Sequence, residues 1–247
     1  MRRSTRWAVP VLVLCALAAA AGCTSGRDPT ASATGTTDEP IALSGHVAKA
    51  ALEHRRRADL DVVSGANTVR VHMADLGLLL YRATTPSGSD VEPAGVVSDN
   101  VVTLSLESHG HRGPAVLDVT LNATVDWRVR LDGGATEETV DATGGRLREL
   151  DLGAGASRID VTLPRPDGTV PVEMTGGAGT FAVHLPDGVP ARVTFAGGAG
   201  TATIDGAVHT GIAGSTVLDA LDWSAGTDRY AVTNTAGVGA FSLGRSR

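Results

Sequence analysis

Residues 176–206 read GGAGTFAVHLPDGVPARVTFAGGAGTATIDG, and this stretch contains one complete unit of a repeat. The apolar residues Phe181 and Val183 alternate with small or polar ones, which is typical of a β-strand with one buried face. Pro186-Asp187-Gly188 then forms a turn signal, because proline presets φ and glycine accepts positive φ. A second alternating run, residues 191–195, leads into the next Gly-Gly-Ala. Each unit is therefore predicted to consist of two strands and two tight corners.

The same glycine corner recurs along the chain at nearly constant spacing. Triplets of Gly, Ala or Val, and a small residue begin at Gly65, Gly134, Gly155, Gly177, Gly198 and Gly237. The four middle copies are separated by 21, 22 and 21 residues. Four residues after each triplet stands an aliphatic residue, namely Val71, Val140, Val161, Val183, Ile204 and Leu243. Two residues after each triplet stand Val69, Glu138, Ile159, Phe181, Ala202 and Phe241, which are apolar in all but one case. Both columns are predicted to point into one stacked core, because residues two apart in a strand share a face.

The remaining chain beyond residue 60 consists of short alternating runs separated by Gly, Pro and Asp. We therefore predict an all-β fold, a solenoid-like single stack of short strands with Gly-rich corners, in one domain over residues 41–247. An antiparallel meander would show the same turns, but the matched columns favour the stack. His46 to Arg57 is the exception, because its alanines and its Glu53/Arg57 spacing favour a short helix before a strand at Leu60.

The N-terminus has the form of an export signal. Arg2, Arg3 and Arg6 precede an apolar run from Val9 to Ala21, which at 13 residues is shorter than the about 20 needed to span a bilayer. The run ends in Ala20-Ala21-Gly22-Cys23, which resembles a bacterial lipobox. Cleavage between Gly22 and Cys23 would remove a signal peptide of residues 1–22. Lipidation of Cys23 would then anchor the chain to the outer face of the cytoplasmic membrane through a diacylglyceryl group.

An ordinary secretory signal with an incidental Cys23 is the alternative. Residues 23–40 are rich in Thr, Ser, Ala, Gly, Asp and Pro, and beyond the lipidated cysteine they are predicted to form a disordered tether.

Cleavage would leave 18 basic and 27 acidic residues, a net charge of −9, which argues against nucleic-acid binding. Arg55-Arg56-Arg57 is the one basic cluster, either a solvated edge or a contact for an anionic envelope polymer.

Motifs for catalysis or metal binding are missing from the sequence. It contains no HExxH, GxSxG, SxxK, P-loop or CxxC, and Phe181 and Ala202 stand where calcium-binding repeats need aspartate. His109 and His111 are read as a polar hairpin tip rather than a metal pair. We therefore expect no cofactor, no metal and no enzymatic activity.

The alternative is a β-helical carbohydrate-active enzyme with paired carboxylates. Its candidate acids are Asp118, Asp126, Asp132, Asp141, Asp160, Asp219 and Asp222, and Trp127 and Trp223 are its candidate sugar platforms unless they are core residues.

The glycine-cornered run from Gly153 to Gly239, with its repeated Gly-Gly-Ala-Gly and Leu-Pro-Asp-Gly segments, resembles toastrack-type domains. These are β-repeat modules of LiaF-like and adhesin-like families in bacterial envelope-stress systems. The resemblance covers roughly residues 58–245 and implies a non-catalytic role in sensing, scaffolding or adhesion.

The outward side chains of the repeat form the candidate binding surface. Its residues are Arg158, Asp160, Thr162, His184, Thr201, Thr203 and Asp205. A flat polar face of this kind suits an envelope protein or a cell-wall polymer better than a small molecule.

Overall fold

The computed structural model describes residues 42–43, 45–110, 113–221 and 223–246, which belong to the compact unit Asp38–Arg247. These residues form twenty β-strands and one 3₁₀ turn, Trp223–Ala225. In chain order the strands are β1 (Ala42–Leu43), β2 (Val47–Ala51), β3 (Arg57–Val62), β4 (Ala66–Ala74), β5 (Leu79–Thr84), β6 (Val91–Ser98), β7 (Val101–Ser108), β8 (Val116–Asn122), β9 (Asp126–Leu131), β10 (Ala135–Asp141), β11 (Arg146–Leu152), β12 (Ala156–Thr162), β13 (Thr169–Met174), β14 (Ala178–Pro186), β15 (Ala191–Phe195), β16 (Ala199–Ile204), β17 (Ala207–Ile212), β18 (Thr216–Ala220), β19 (Arg229–Asn234) and β20 (Val238–Ser246). The predicted all-β class is confirmed.

The first of two sheets contains the repeat. Its eleven strands have the order β1-β2-β5-β8-β4-β10-β12-β14-β20-β16-β17. The six strands that follow the glycine corners are β4, β10, β12, β14, β20 and β16, and each is parallel to its neighbours in this group. The repeat is therefore a parallel stack, as the matched columns predicted, and not an antiparallel meander.

Both predicted columns run without a break across these six strands. In the first column Val140 pairs with Val71 on one side and with Val161 on the other. All six of its members are at most 5% exposed, and those of the second column at most 2%. Because parallel strands in register place the same repeat position side by side, each column forms a continuous interior row.

The C-terminal strand enters this stack out of chain order. β20 lies between β14 and β16, so that Phe241 stands between Phe181 and Ala202 in the second column. The Phe241 ring meets Phe181 edge-on at 5.4 Å between centroids, and it meets Phe195 of the other sheet at 5.3 Å. Edge-to-face contacts of this kind are favourable for aromatic rings, and the small Ala202 leaves room beside them. The repeat spacing contained no indication of this insertion.

The second sheet covers the inner face of the first. Its nine strands have the order β18-β15-β19-β13-β11-β9-β3-β7-β6, and the seven from β15 to β7 are parallel. The inward residues of the two sheets form one apolar cluster, to which Leu150, Val172 and Val193 belong. Three repeat units, β10–β11, β12–β13 and β14–β15, each contribute one strand to each sheet, as the predicted two-strand unit requires. At the two ends of the repeat, β4 and β16 are instead followed by β5 and β17, which belong to the first sheet as well.

Residues 46–57 do not form the predicted short helix, and that prediction was wrong. Val47–Ala51 is a strand that pairs antiparallel with β5, and Ala48 is buried there. Glu53 and His54 then adopt positive φ values of 45° and 63° in a turn before β3. Sheet hydrogen bonds and burial of the apolar face override the weak helix preference of the alanines.

Within the described ranges, no helix is both long and apolar enough to cross a bilayer. The predicted signal peptide, its cleavage site at Gly22 and Cys23, the lipid acceptor Cys23 and the tether of residues 23–40 lie outside these ranges.

Candidate binding surface

The seven predicted surface residues lie on or beside the outer face of the first sheet. Three belong to β12, one to β14, two to β16, and Asp205 directly follows β16. All are exposed or half-buried, because they alternate along the strands with the two interior columns. His184 Nε2 lies 3.5 Å from Asp160 Oδ1, so these two residues do meet across β12 and β14.

The other members of the surface are separated by the inserted strand. Thr201 and Thr203 do not adjoin β14, because β20 places Ala240 and Ser242 between them and their expected neighbours. Two strand spacings, about 10 Å, therefore separate these threonines from the β14 backbone. The outer face thus divides into a charged part on β12 and β14 and a small, uncharged part on β20 and β16.

Asp205 has a structural partner at the end of this face. Its two carboxylate oxygens accept hydrogen bonds from Arg245 Nε and Nη2 at 2.8 and 2.7 Å. Arg245 Nη1 also donates to the carbonyl oxygen of Val189 at 2.6 Å. This two-point pairing holds the end of β20 against the turn after β16. Beside it lies an open cavity of about 510 Å³, lined by Asp187, Gly188, Asp205, Gly206, Leu221, Gly244 and Arg245.

The outer face of the second sheet carries ladders of alternating charge that the sequence reading did not identify. Arg128 Nε lies 3.0 Å from Glu149 Oε1, and Arg130 Nε lies 3.1 Å from Asp151 Oδ2. Arg148 forms a further ion pair with Asp59. The signal was present in the sequence as Arg-x-Arg and Asp-x-Asp at alternate positions, which share a face in a strand. Because β9 and β11 are parallel and in register, Arg128 lies beside Glu149 and Arg130 beside Asp151.

The two tryptophans differ in environment. Trp127 is fully buried, and its Nε1 donates to the carbonyl oxygen of Asn122 at 2.9 Å, so it is a core residue. Trp223 is half-buried beneath the guanidinium groups of Arg192 and Arg229, whose Cζ atoms lie 4.7 and 4.1 Å from the ring centroid. Its π face is occupied by cations of the protein itself.

Several candidate acids of the enzymatic alternative are held by neighbouring side chains. The structure pairs Asp118 with Arg70, Asp160 with His184, and Asp126 with Arg57 and Arg146, while Asp141 accepts hydrogen bonds from Thr143. Two hydrogen bonds from Arg192, at 2.8 and 2.9 Å, lower the pKa of Asp219. Loss of hydration on burial raises the pKa of Asp132. Asp222 lies outside the described residues.

Glu138 is the one polar residue in the second column of the repeat, the column two residues after each triplet. It is fully buried on β10, and in register it lies between Val69 and Ile159. Neither carboxylate oxygen has a hydrogen-bond partner among the described residues. Loss of hydration on burial raises the pKa of Glu138 to about 7.

The predicted hairpin tip is only partly described. His109 Nε2 lies 3.3 Å from Glu92 Oε2, whereas His111 falls outside the described residues. Within the described ranges, no three His, Cys, Asp or Glu side chains are grouped so as to hold a metal ion.

A comparison with solved structures finds two bacterial proteins, and the first of them shares the fold of this chain. A "putative cell adhesion protein" from Clostridium sporogenes is 17% identical, with a TM-score of 0.59 over 81% of this chain and 98% of that chain. A "putative adhesin" from Bacteroides fragilis is 11% identical, with a TM-score of 0.25 over 81% of this chain and 98% of that chain. No protein-family model and no curated protein matches the chain. The first likeness confirms the expected β-repeat architecture as a class of fold.

Proposed function

We propose that this chain is an exported, lipid-anchored and non-catalytic protein of the bacterial envelope. The outer face of its first sheet binds a protein or polymer partner, and Cys23 carries the anchor. The observation that carries the proposal is the parallel stack. Rows of apolar side chains fill the space between its two sheets, and each sheet has a broad outer face. Such extended faces are typical binding surfaces of stacked-repeat proteins.

The state of the acidic residues supports a binding role over glycan cleavage. A glycosidase needs one carboxyl group free to donate a proton and a second carboxylate on the other side of the scissile bond. Here Asp126 and Asp219 are engaged with arginines, and the Trp223 face that could stack on a sugar is covered by Arg192 and Arg229. These contacts brace the corners of the sheets.

The fold likeness supports a role at the cell surface. The Clostridium sporogenes protein is named for cell adhesion, and it shares the β-repeat architecture over nearly its whole length. The lipobox-like ending at Cys23 supports attachment, because two acyl chains are needed for stable membrane binding.

Replacement of the proposed lipid acceptor tests the location. In the native bacterial host, or in a lipoprotein-processing bacterium, we expect the wild-type chain to partition into the detergent phase and Cys23→Ala to appear in the aqueous phase. Cys15→Ala is the matched control, because it removes the other cysteine from the segment that is predicted to be cleaved. The proposal of a lipid anchor fails if Cys23→Ala still partitions with detergent, or if mass spectrometry finds no lipid on the wild-type Cys23.

A further inference from the structure

Three arginines from two separate segments meet at one corner of the second sheet. Arg56 directly precedes β3, Arg57 is the first residue of β3, and Arg146 begins β11. Asp126, the first residue of β9, lies between them, and both Arg57 and Arg146 pair with it in register. Arg57 and Arg146 are thus two strand spacings apart, about 10 Å along the sheet. With Asn100 and Thr124, these four charged residues line a cavity of about 690 Å³.

The corner is short of negative charge. Three guanidinium groups line the cavity beside the single carboxylate of Asp126, which pairs with Arg57 and Arg146, so the lining side chains carry a formal charge of +2. Arg57 Nε lies 3.9 Å and Arg146 Nη1 3.5 Å from the nearest Asp126 oxygen, longer than the 3.0 Å of the Arg128–Glu149 pair on the same face.

The arginine side chains are also accessible. Those of Arg57 and Arg146 are 75% and 71% exposed. Arg56 forms no ion pair with another described residue and is likewise exposed. A local excess of positive charge in a chain of net charge −6 is a specific feature and not a general basic background.

The chemistry of the corner suits phosphate groups. The planar guanidinium donates two parallel hydrogen bonds to two oxygens of one phosphate, which an ammonium group does not. Arg57 and Arg146 stand farther apart than the oxygens of one phosphate, so they match successive phosphates of a chain better than a single ion. Thr124 Oγ1 already donates to Asn122 Oδ1 at 2.7 Å, so it can accept a hydrogen bond from a hydroxyl group of the ligand.

We propose that this corner binds a phosphodiester polymer with a polyol backbone. No aromatic side chain is among the described residues that line it. Single-stranded nucleic acids gain much of their affinity from bases stacked on aromatic rings, so a polyol phosphate fits the corner better. The choice of a polymer found outside the cell rests on the proposed function, whereas the anion site itself depends only on the arginines.

Calorimetric titration of the purified full chain with a synthetic glycerol-phosphate oligomer tests the proposal. We expect the double variant Arg57→Ala/Arg146→Ala to bind at least about tenfold more weakly. The slope of log K against log salt concentration should also fall in magnitude by about 1.5 units, because about two fewer phosphate contacts release counterions. Arg165→Ala is the matched control, since it removes one exposed arginine from the loop between β12 and β13, away from both the cavity and the outer face of the first sheet, and should leave binding unchanged. Asp126→Asn removes the competing carboxylate and should tighten binding.

Comparison ligands separate the sources of phosphate. Inorganic phosphate should bind more weakly than the oligomer and through the same arginines. Equal affinity for a single-stranded DNA of matched phosphate number would overturn the choice of a polyol polymer, as would binding to anionic vesicles without binding to the oligomer. Equal affinity of the wild type and the double variant for the oligomer would overturn the site. Cys23→Ala should bind the oligomer normally, so a failure of this proposal is distinguishable from a failure of the proposed membrane anchor.

Discussion

At the scale of single residues, Glu138 is the side chain least suited to its surroundings. A carboxyl group without a hydrogen-bond partner among the described residues lies in an apolar row between Val69 and Ile159. Removing a carboxylate from water without a partner is costly, so the buried group holds its proton more tightly than it would in solution. The folded state therefore favours the neutral acid.

This burial predicts a pH-dependent loss of stability. The pKa of Glu138 is about 7 in the folded state, against an ordinary value of 4.5 that applies to the unfolded chain. Between these two pH values Glu138 binds more protons in the folded state than in the unfolded state, so its contribution to stability is most favourable below pH 4.5 and falls as pH rises to about 7. The expected loss is about 3 kcal/mol. Glu138→Leu should abolish this component and stabilise the protein at pH 8.

Urea unfolding at pH 4.5, 6 and 8 measures the effect. Glu137→Gln is the matched control, because it removes a neighbouring carboxyl group that faces outward on the same strand and should leave the pH dependence unchanged. Equal pH slopes for the wild type and Glu138→Leu would show that the buried carboxyl group is not responsible.

At the scale of the element, β20 shows why glycine occurs at the corners. A Cβ atom on Gly239 would lie 2.5 Å from the carbonyl oxygen of Gly179 on the neighbouring strand. Gly179 and Gly200 make similarly close approaches to the strands beside them. The small residues of the triplets therefore allow the strand starts to pack at normal sheet spacing.

Two glycines of β20 offer a matched test of this packing. Gly239→Ala should destabilise the protein by about 2 kcal/mol, because the strand must shift to relieve contact with backbone. Gly244→Ala should change stability by less than about 0.5 kcal/mol, since nothing lies within 4 Å of a Cβ atom there. Both substitutions restrict the unfolded chain alike, so the difference between their urea midpoints isolates the steric effect. Equal midpoints would contradict the role assigned to Gly239.

At the scale of the whole described unit, the last two strands join parts of the chain that are separate in sequence. β19 lies between β13 and β15, and β20 lies between β14 and β16. In a simple solenoid each unit contacts only its sequence neighbours. Here the chain passes through the edge strands β17 and β18 and then returns to complete both sheets. Strands β14 to β16 therefore cannot reach their final pairing until the C-terminus is available.

Removal of residues 238–247 tests this dependence. The truncated chain loses Phe241, a side chain whose removal alone costs about 3–5 kcal/mol, together with the backbone pairing on both sides of β20. Hydrogen-exchange mass spectrometry should show a loss of protection in residues 178–204, while residues 47–84 at the other end of the stack serve as the internal control and stay protected. Unchanged protection of residues 178–204, or a uniform loss along the chain, would contradict the assignment.

The sequence alone determined the two-strand unit, the glycine corners, the interior rows from Val71 to Leu243 and the outward orientation of residues such as Arg158. These are local properties, because an alternating strand and a glycine turn repeat within each segment of about 20 residues. Only the tertiary structure decided the insertion of β20, the strand at residues 47–51, and the meeting of Arg57 and Arg146 around Asp126. These features depend on the order of the strands in each sheet, and that order depends on how the whole core packs. The Phe241 ring, for example, packs between Phe181 and Ala202, and no local sequence pattern encodes this position.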